Sequence, residues 1–70
     1  MDNIVNNMKI DFQDSEIQLE AEYISVEEML KQLEINPVEV VVTQNGKIVL
    51  ESSILQRGDE VKIIQVIHGG

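Results

Sequence analysis

Seventy residues with thirteen acidic side chains against five basic ones, a net charge of −8, and no cysteine exclude several kinds of protein at once. The length allows one small domain, the charge repels phosphate backbones and anionic headgroups while suiting a basic protein partner, and the missing thiols remove disulfides, thiolate metal sites and thiol nucleophiles. No apolar run approaches the span of a bilayer, and the opening MDNIVNNMKI has no basic leader before an apolar stretch, so a cytoplasmic monomer that binds neither nucleic acid nor membrane directly is expected.

Aromatic residues make up only 3% of the chain, while Val and Ile abound, a balance that favours sheet over a helical bundle. Residues 1–7 read as a loose extension ahead of the first strand. From Met8 the apolar residues alternate through Ile10 and Phe12, then resume at Ile17, Leu19 and Ala21 with polar residues between them, the pattern of two half-buried strands. The short polar link QDS predicts a hairpin turn and hence antiparallel neighbours.

At ISVEEMLKQLEI the period changes to about 3.6, and Val26, Met29, Leu30 and Leu33 fall on one helical face. Ser25 and Glu28 are spaced for a capping box, and Ile24 and Met29 for a hydrophobic staple. Glu27 and Glu28 suit the positive helix start. Pro37 is expected to end this helix, the only one predicted, because Asn36 before it is biased toward extended geometry.

VEVVVTQNGKIVL reads as strand, turn, strand, with Asn45-Gly46 suited to a two-residue type I′ turn. ESSILQRGDE reads as a turn region closed by Gly58-Asp59. The last strand, EVKIIQVI, is apolar on both faces, with Val61, Ile63 and Ile67 one way and Ile64 and Val66 the other, as suits a central strand. The predicted order is β-β-α-β-β-β in one α+β domain spanning residues 1–70. It forms a mixed five-stranded sheet whose last strand lies parallel to the first at the centre, with the helix on one face and the other face partly open.

Chemistry is harder to place in this chain. Glu20, Glu22, Glu27, Glu28 and Glu34 are explained by outward strand positions, a helix face and a cap, so no acid–base pair emerges. The four glycines stand at 46, 58, 69 and 70, and none opens a helix to cradle a phosphate. His68 is the only histidine, and one imidazole without a second ligand or a nucleophile makes no site. No catalytic residue, metal site or cofactor bound by the chain itself is therefore expected. The ending VIHGG is a poor structural one, since glycines pack nothing and hold nothing rigid, and residues 68–70 read as a flexible tail.

The element order, the helix opened by SVEEML, the QNGK hairpin, the LQRGDEV approach to the last strand and the terminal HGG together resemble the ubiquitin-like β-grasp proteins of the ThiS and MoaD superfamily. The resemblance covers residues 8–70 and looks closest to the archaeal small modifier and ubiquitin-related modifier proteins. His68 departs from the alanine or other small residue that many sulfur carriers of this superfamily have before the glycine pair.

That resemblance implies a carrier. A ubiquitin-activating-type adenylating enzyme would use ATP to adenylate the carboxylate of Gly70. The acyl-adenylate would then become a thiocarboxylate, supplied by a sulfurtransferase and delivered to a sulfur-accepting synthase in thiamine, molybdopterin or tRNA thiolation chemistry, or would be attacked by a lysine amine to make the chain a protein modifier. Gly69 and Gly70, lacking any Cβ, would pass a narrow channel to the nucleotide. Ile64 and Val66, with His68 beside them, would either face the activating enzyme or lie under neighbouring side chains. A third reading, a plain interaction module with an idle tail, stays open beside these two.

Overall fold

The computed structural model describes residues 7–66. Its strands are β1 (Asn7–Phe12), β2 (Ser15–Glu20), β3 (Tyr23–Ser25), β4 (Val40–Gln44), β5 (Lys47–Val49), β6 (Ile54–Gln56) and β7 (Val61–Gln65), with one helix, α1 (Val26–Gln32), and a short 3-10 turn at Pro37–Glu39. Five strands form a sheet ordered β2-β1-β7-β4-β5, and β3 and β6 form a separate ribbon. Only the β1–β7 pair of the sheet is parallel, with Ile10 opposite Val61 and Phe12 opposite Ile63. The mixed sheet with the last strand central is thus as the sequence predicts. Among the described residues no helix is long and apolar enough to cross a membrane.

The core follows from the alternation. Met8 and Ile10 of β1, Val61 and Ile63 of β7 and Val42 of β4 turn to one face of the sheet, where they meet Ile24, Val26, Met29, Leu30 and Leu55. Leu33, Ile17 and Leu19 pack at the margin of that cluster. Burying each large aliphatic side chain contributes about 1.5–3 kcal/mol, so these ten residues are the main source of stability in so small a domain.

The helix begins as its cap predicts. Ser25 is extended at its backbone and its side chain accepts from the Glu28 amide at 3.1 Å. Its end departs from expectation. The Ile35 amide donates to the Leu30 carbonyl and the Glu34 amide to that of Lys31, while Glu34 takes a positive φ of 59°. These are the two bonds and the left-handed residue of a Schellman motif, so the helix is closed by its own backbone before Pro37 is reached. Pro37 instead starts the 3-10 turn, with the Asn36 side chain accepting from the Val38 amide.

Two strands were not predicted. Ile54–Gln56 lies within the stretch expected to be a turn region, yet pairs antiparallel with Tyr23–Ser25 and buries Leu55 completely. Three residues are too few to show a period of two, so only the tertiary pairing defines these strands. Asn7, assigned to the leading extension, is the first residue of β1 and pairs with Glu20. The rest of that extension lies outside the described residues.

Candidate functional site

The central strand carries the chain toward its expected reactive end, so the place where β7 runs out is the candidate site. Its last residues are held on both sides. Gln65 sits opposite Val40 of β4, and the Gln13 side-chain amide donates to the Gln65 side-chain carbonyl at 2.6 Å. One residue on, the Val66 amide donates to the Glu39 carbonyl at 2.8 Å. The strand is therefore guided out between the β1–β2 turn and the 3-10 turn before β4. Gly69, Gly70 and His68, the residues singled out for the tail, lie outside the described residues, as does Ile67.

Ile64 and Val66 are 50% and 37% exposed, so the reading in which neighbours cover them does not hold. Both lie on the sheet face away from the helix. Across that face the register runs Glu16, Asp11, Lys62, Thr43, Ile48 through all five strands, and Val41 sits opposite Ile64. With Ile48 exposed at 72%, the open face mixes Ile64, Val41 and Ile48 with Lys62 and Thr43 over β7, β4 and β5, and is charged over β1 and β2.

Sequence reasoning missed two features of this region. Asp11, Phe12, Gln13, Asp14, Ser15, Glu16, Lys62, Ile63 and Ile64 line one open groove of about 540 Å³ beside the exit of β7. Its wall is a turn in which Gln13 and Asp14 both have positive φ, 53° and 62°, although neither is glycine. The QDS link signals the turn but not its alignment with Gln65, which is a contact between distant parts of the chain.

At the other end of β7 a hydrogen-bonded clamp sets where the strand starts. Asp59 accepts at one carboxylate oxygen from the Gln44 side chain at 2.7 Å and from the Gln56 amide at 2.8 Å, and at the other from the Asn45 side chain at 3.2 Å. The Gln44 hydrogen bond, then that of the Gln56 backbone, hold the Asp59 carboxyl below its ordinary value of 3.8 against a smaller opposing effect of burial. Asn45 returns a bond by accepting from the Glu60 amide at 2.9 Å.

Among the described residues no polar or charged side chain is buried, and no three His, Cys, Asp or Glu side chains stand close enough to hold a metal ion. What the arrangement offers is a firmly set strand delivering the chain past an exposed, partly apolar face.

The model of the ThiS family matches residues 4–70. Two solved structures are similar to the chain. The crystal structure of a thiamine biosynthesis protein (ThiS) from Geobacter metallireducens is 23% identical, covers 90% of this chain and 100% of that one, and has a TM-score of 0.66. The NMR solution structure of a thiamine biosynthesis protein from the same organism is 25% identical, covers 90% and 88%, and has a TM-score of 0.61. The sheet and helix thus form a β-grasp fold. No curated protein matches the chain.

Proposed function

Because the chain belongs to the ThiS family, we propose that it is a sulfur carrier whose Gly70 carboxylate is activated by an adenylating enzyme and then holds sulfur as a thiocarboxylate. The chain is the carrier rather than an enzyme. The observation that supports this reading most is the family match itself, which runs through Gly69 and Gly70. ATP serves the partner: the carboxylate attacks the α-phosphate and pyrophosphate leaves, the terminal sulfur of a sulfurtransferase persulfide then displaces AMP from the acyl carbon, and a thiol of the partner enzymes cleaves the resulting acyl disulfide to leave the thiocarboxylate and a protein disulfide. Gly69 and Gly70 keep the approach free of side chains, and the absence of cysteine is in keeping with sulfur carried on the main chain.

Ile64 and Val66 contribute the docking surface, and His68, two residues on in the sequence, is a further candidate contact. A strand face with half-exposed aliphatic residues gives a partner an apolar anchor, and the short stem from Val66 to Gly70 places the partner's active site close by. The recipient of the sulfur is a synthase of thiamine biosynthesis, the process named for both similar structures.

Incubating the chain with its cognate adenylating enzyme, ATP and a sulfur donor should raise its mass by one oxygen-for-sulfur exchange located at Gly70, read by intact-mass and fragment spectrometry. An unchanged mass with a demonstrably active enzyme would refute the carrier role. A Gly-Gly remnant on target lysines after proteolysis would move the assignment to a protein modifier, and unchanged function after removal of Gly69 and Gly70 would leave only an interaction module.

A further inference from the structure

The groove beside the exit of β7 combines two kinds of chemistry. Half-exposed Ile64 and partly buried Phe12 supply apolar surface, the Ile63 side chain being buried in the core, while Asp11, Asp14 and Glu16 supply carboxylates and Lys62 one ammonium. None of the three carboxylates has a hydrogen-bond or ion-pair partner among the described residues, and Lys62 Nζ already lies 3.9 Å from Glu60 Oε2. The groove therefore holds uncompensated negative charge beside apolar surface. Such a surface favours a segment that presents an arginine or lysine with its aliphatic stem laid along the apolar part.

Position narrows the occupant further. Gly70 is the fourth residue after Val66, and four residues span at most about 14 Å even when fully extended. Any protein that acts on Gly70 must come that close to Val66, next to a groove whose wall grips Gln65 through Gln13. We infer that this groove is a second contact for the adenylating partner, seating a basic side chain of that enzyme beside the apolar face of Ile64 and Val66. The inference rests on the carrier reading and adds to it the chemistry of the partner's surface. Its role is to guide encounter and orientation, so it acts on KM and on salt dependence rather than on the chemical step.

The test compares two triple variants with equal changes in charge, each first checked for an unchanged unfolding midpoint. One is Asp11→Asn, Asp14→Asn and Glu16→Gln in the groove. The other is Glu20→Gln, Glu22→Gln and Glu27→Gln, between the end of β2 and the first turn of α1. ATP–pyrophosphate exchange by the cognate adenylating enzyme gives KM and kcat for each at low salt and at about 0.5 M salt. The groove variant should raise KM about tenfold at low salt, as losing the weak attraction of three carboxylates for one cation would do, with kcat kept and the salt dependence flattened, while the second variant stays near the parent chain. Equal effects of both triples, or an unchanged KM in the groove variant alongside a fully active parent chain, would overturn the groove assignment and leave the carrier reading standing. Absence of exchange with the parent chain would bring down the carrier reading and this inference with it. Dimerisation of the chain alone in sedimentation velocity, altered by the groove substitutions, would assign the groove to a second copy instead.

Discussion

The two hairpin turns of the sheet have nearly the same backbone and very different supports. Both put two consecutive residues at positive φ: Gln13 and Asp14 at 53° and 62°, Asn45 and Gly46 at 53° and 86°. The right-handed twist of the flanking strands demands this geometry of a two-residue link, so the strands, and not the residues in the link, decide the shape. The residues decide what it costs. Asn-Gly adopts it with little strain, whereas Gln-Asp holds two side chains in a region that costs L-residues up to roughly 1–2 kcal/mol each. The first turn carries strain beside the exit of β7, and the second is relaxed and bolted to the Gly58–Glu60 loop.

The strongest way to break that contrast is to remove the bolt. Asp59→Ala should lower stability by about 2 kcal/mol in urea unfolding, because the hydrogen bonds of Gln44, Asn45 and Gln56 all converge on one charged group. The same clamp has a pH signature. The carboxyl of Asp59 is held below 3.8 in the folded chain, so its contribution is complete above that value and fades as pH falls through the lower folded value. The stability gap between the parent chain and Asp59→Asn should therefore be constant at neutral pH and close in acid; a gap that widened in acid would contradict the clamp.

Next in size is Gly46→Ala. A Cβ there meets nothing within 4 Å, so any loss arises from backbone conformation alone, and about 1 kcal/mol is expected by thermal or urea unfolding. The smallest effect sharpens the comparison from the other side. Asp14→Gly should stabilise the chain by about 0.5 kcal/mol by relieving the left-handed strain, and a loss of stability instead would show that the Asp14 side chain supports the turn.

Much of this architecture is written in local patterns. The alternation from Met8 to Phe12, the Ser25 cap, the Asn45-Gly46 pair and the two-sided apolar character of β7 each report a nearby physical demand, and each is met. Where the signal is short or distant the sequence is silent. β3 and β6 have three residues apiece, Glu34 closes the helix without being glycine, and the Gln13–Gln65 and Asp59 contacts join residues far apart in the chain. The candidate site divides the same way. Ile64 and Val66 stand out as apolar residues on the second face of a strand, but the acidic groove beside them exists only once the β1–β2 turn is folded against β7.

The parallel pairing of β1 with β7 has a kinetic consequence. Each outer hairpin forms from neighbouring residues, but the seam between them joins segments far apart in the chain, Ile10 to Val61, so the loop-closure entropy must be met before the centre of the sheet gains anything. A chain lacking β7 holds two halves with no middle. Folding of the sheet is consequently cooperative, and the strand that completes it is the one that bears Ile64 on the open face.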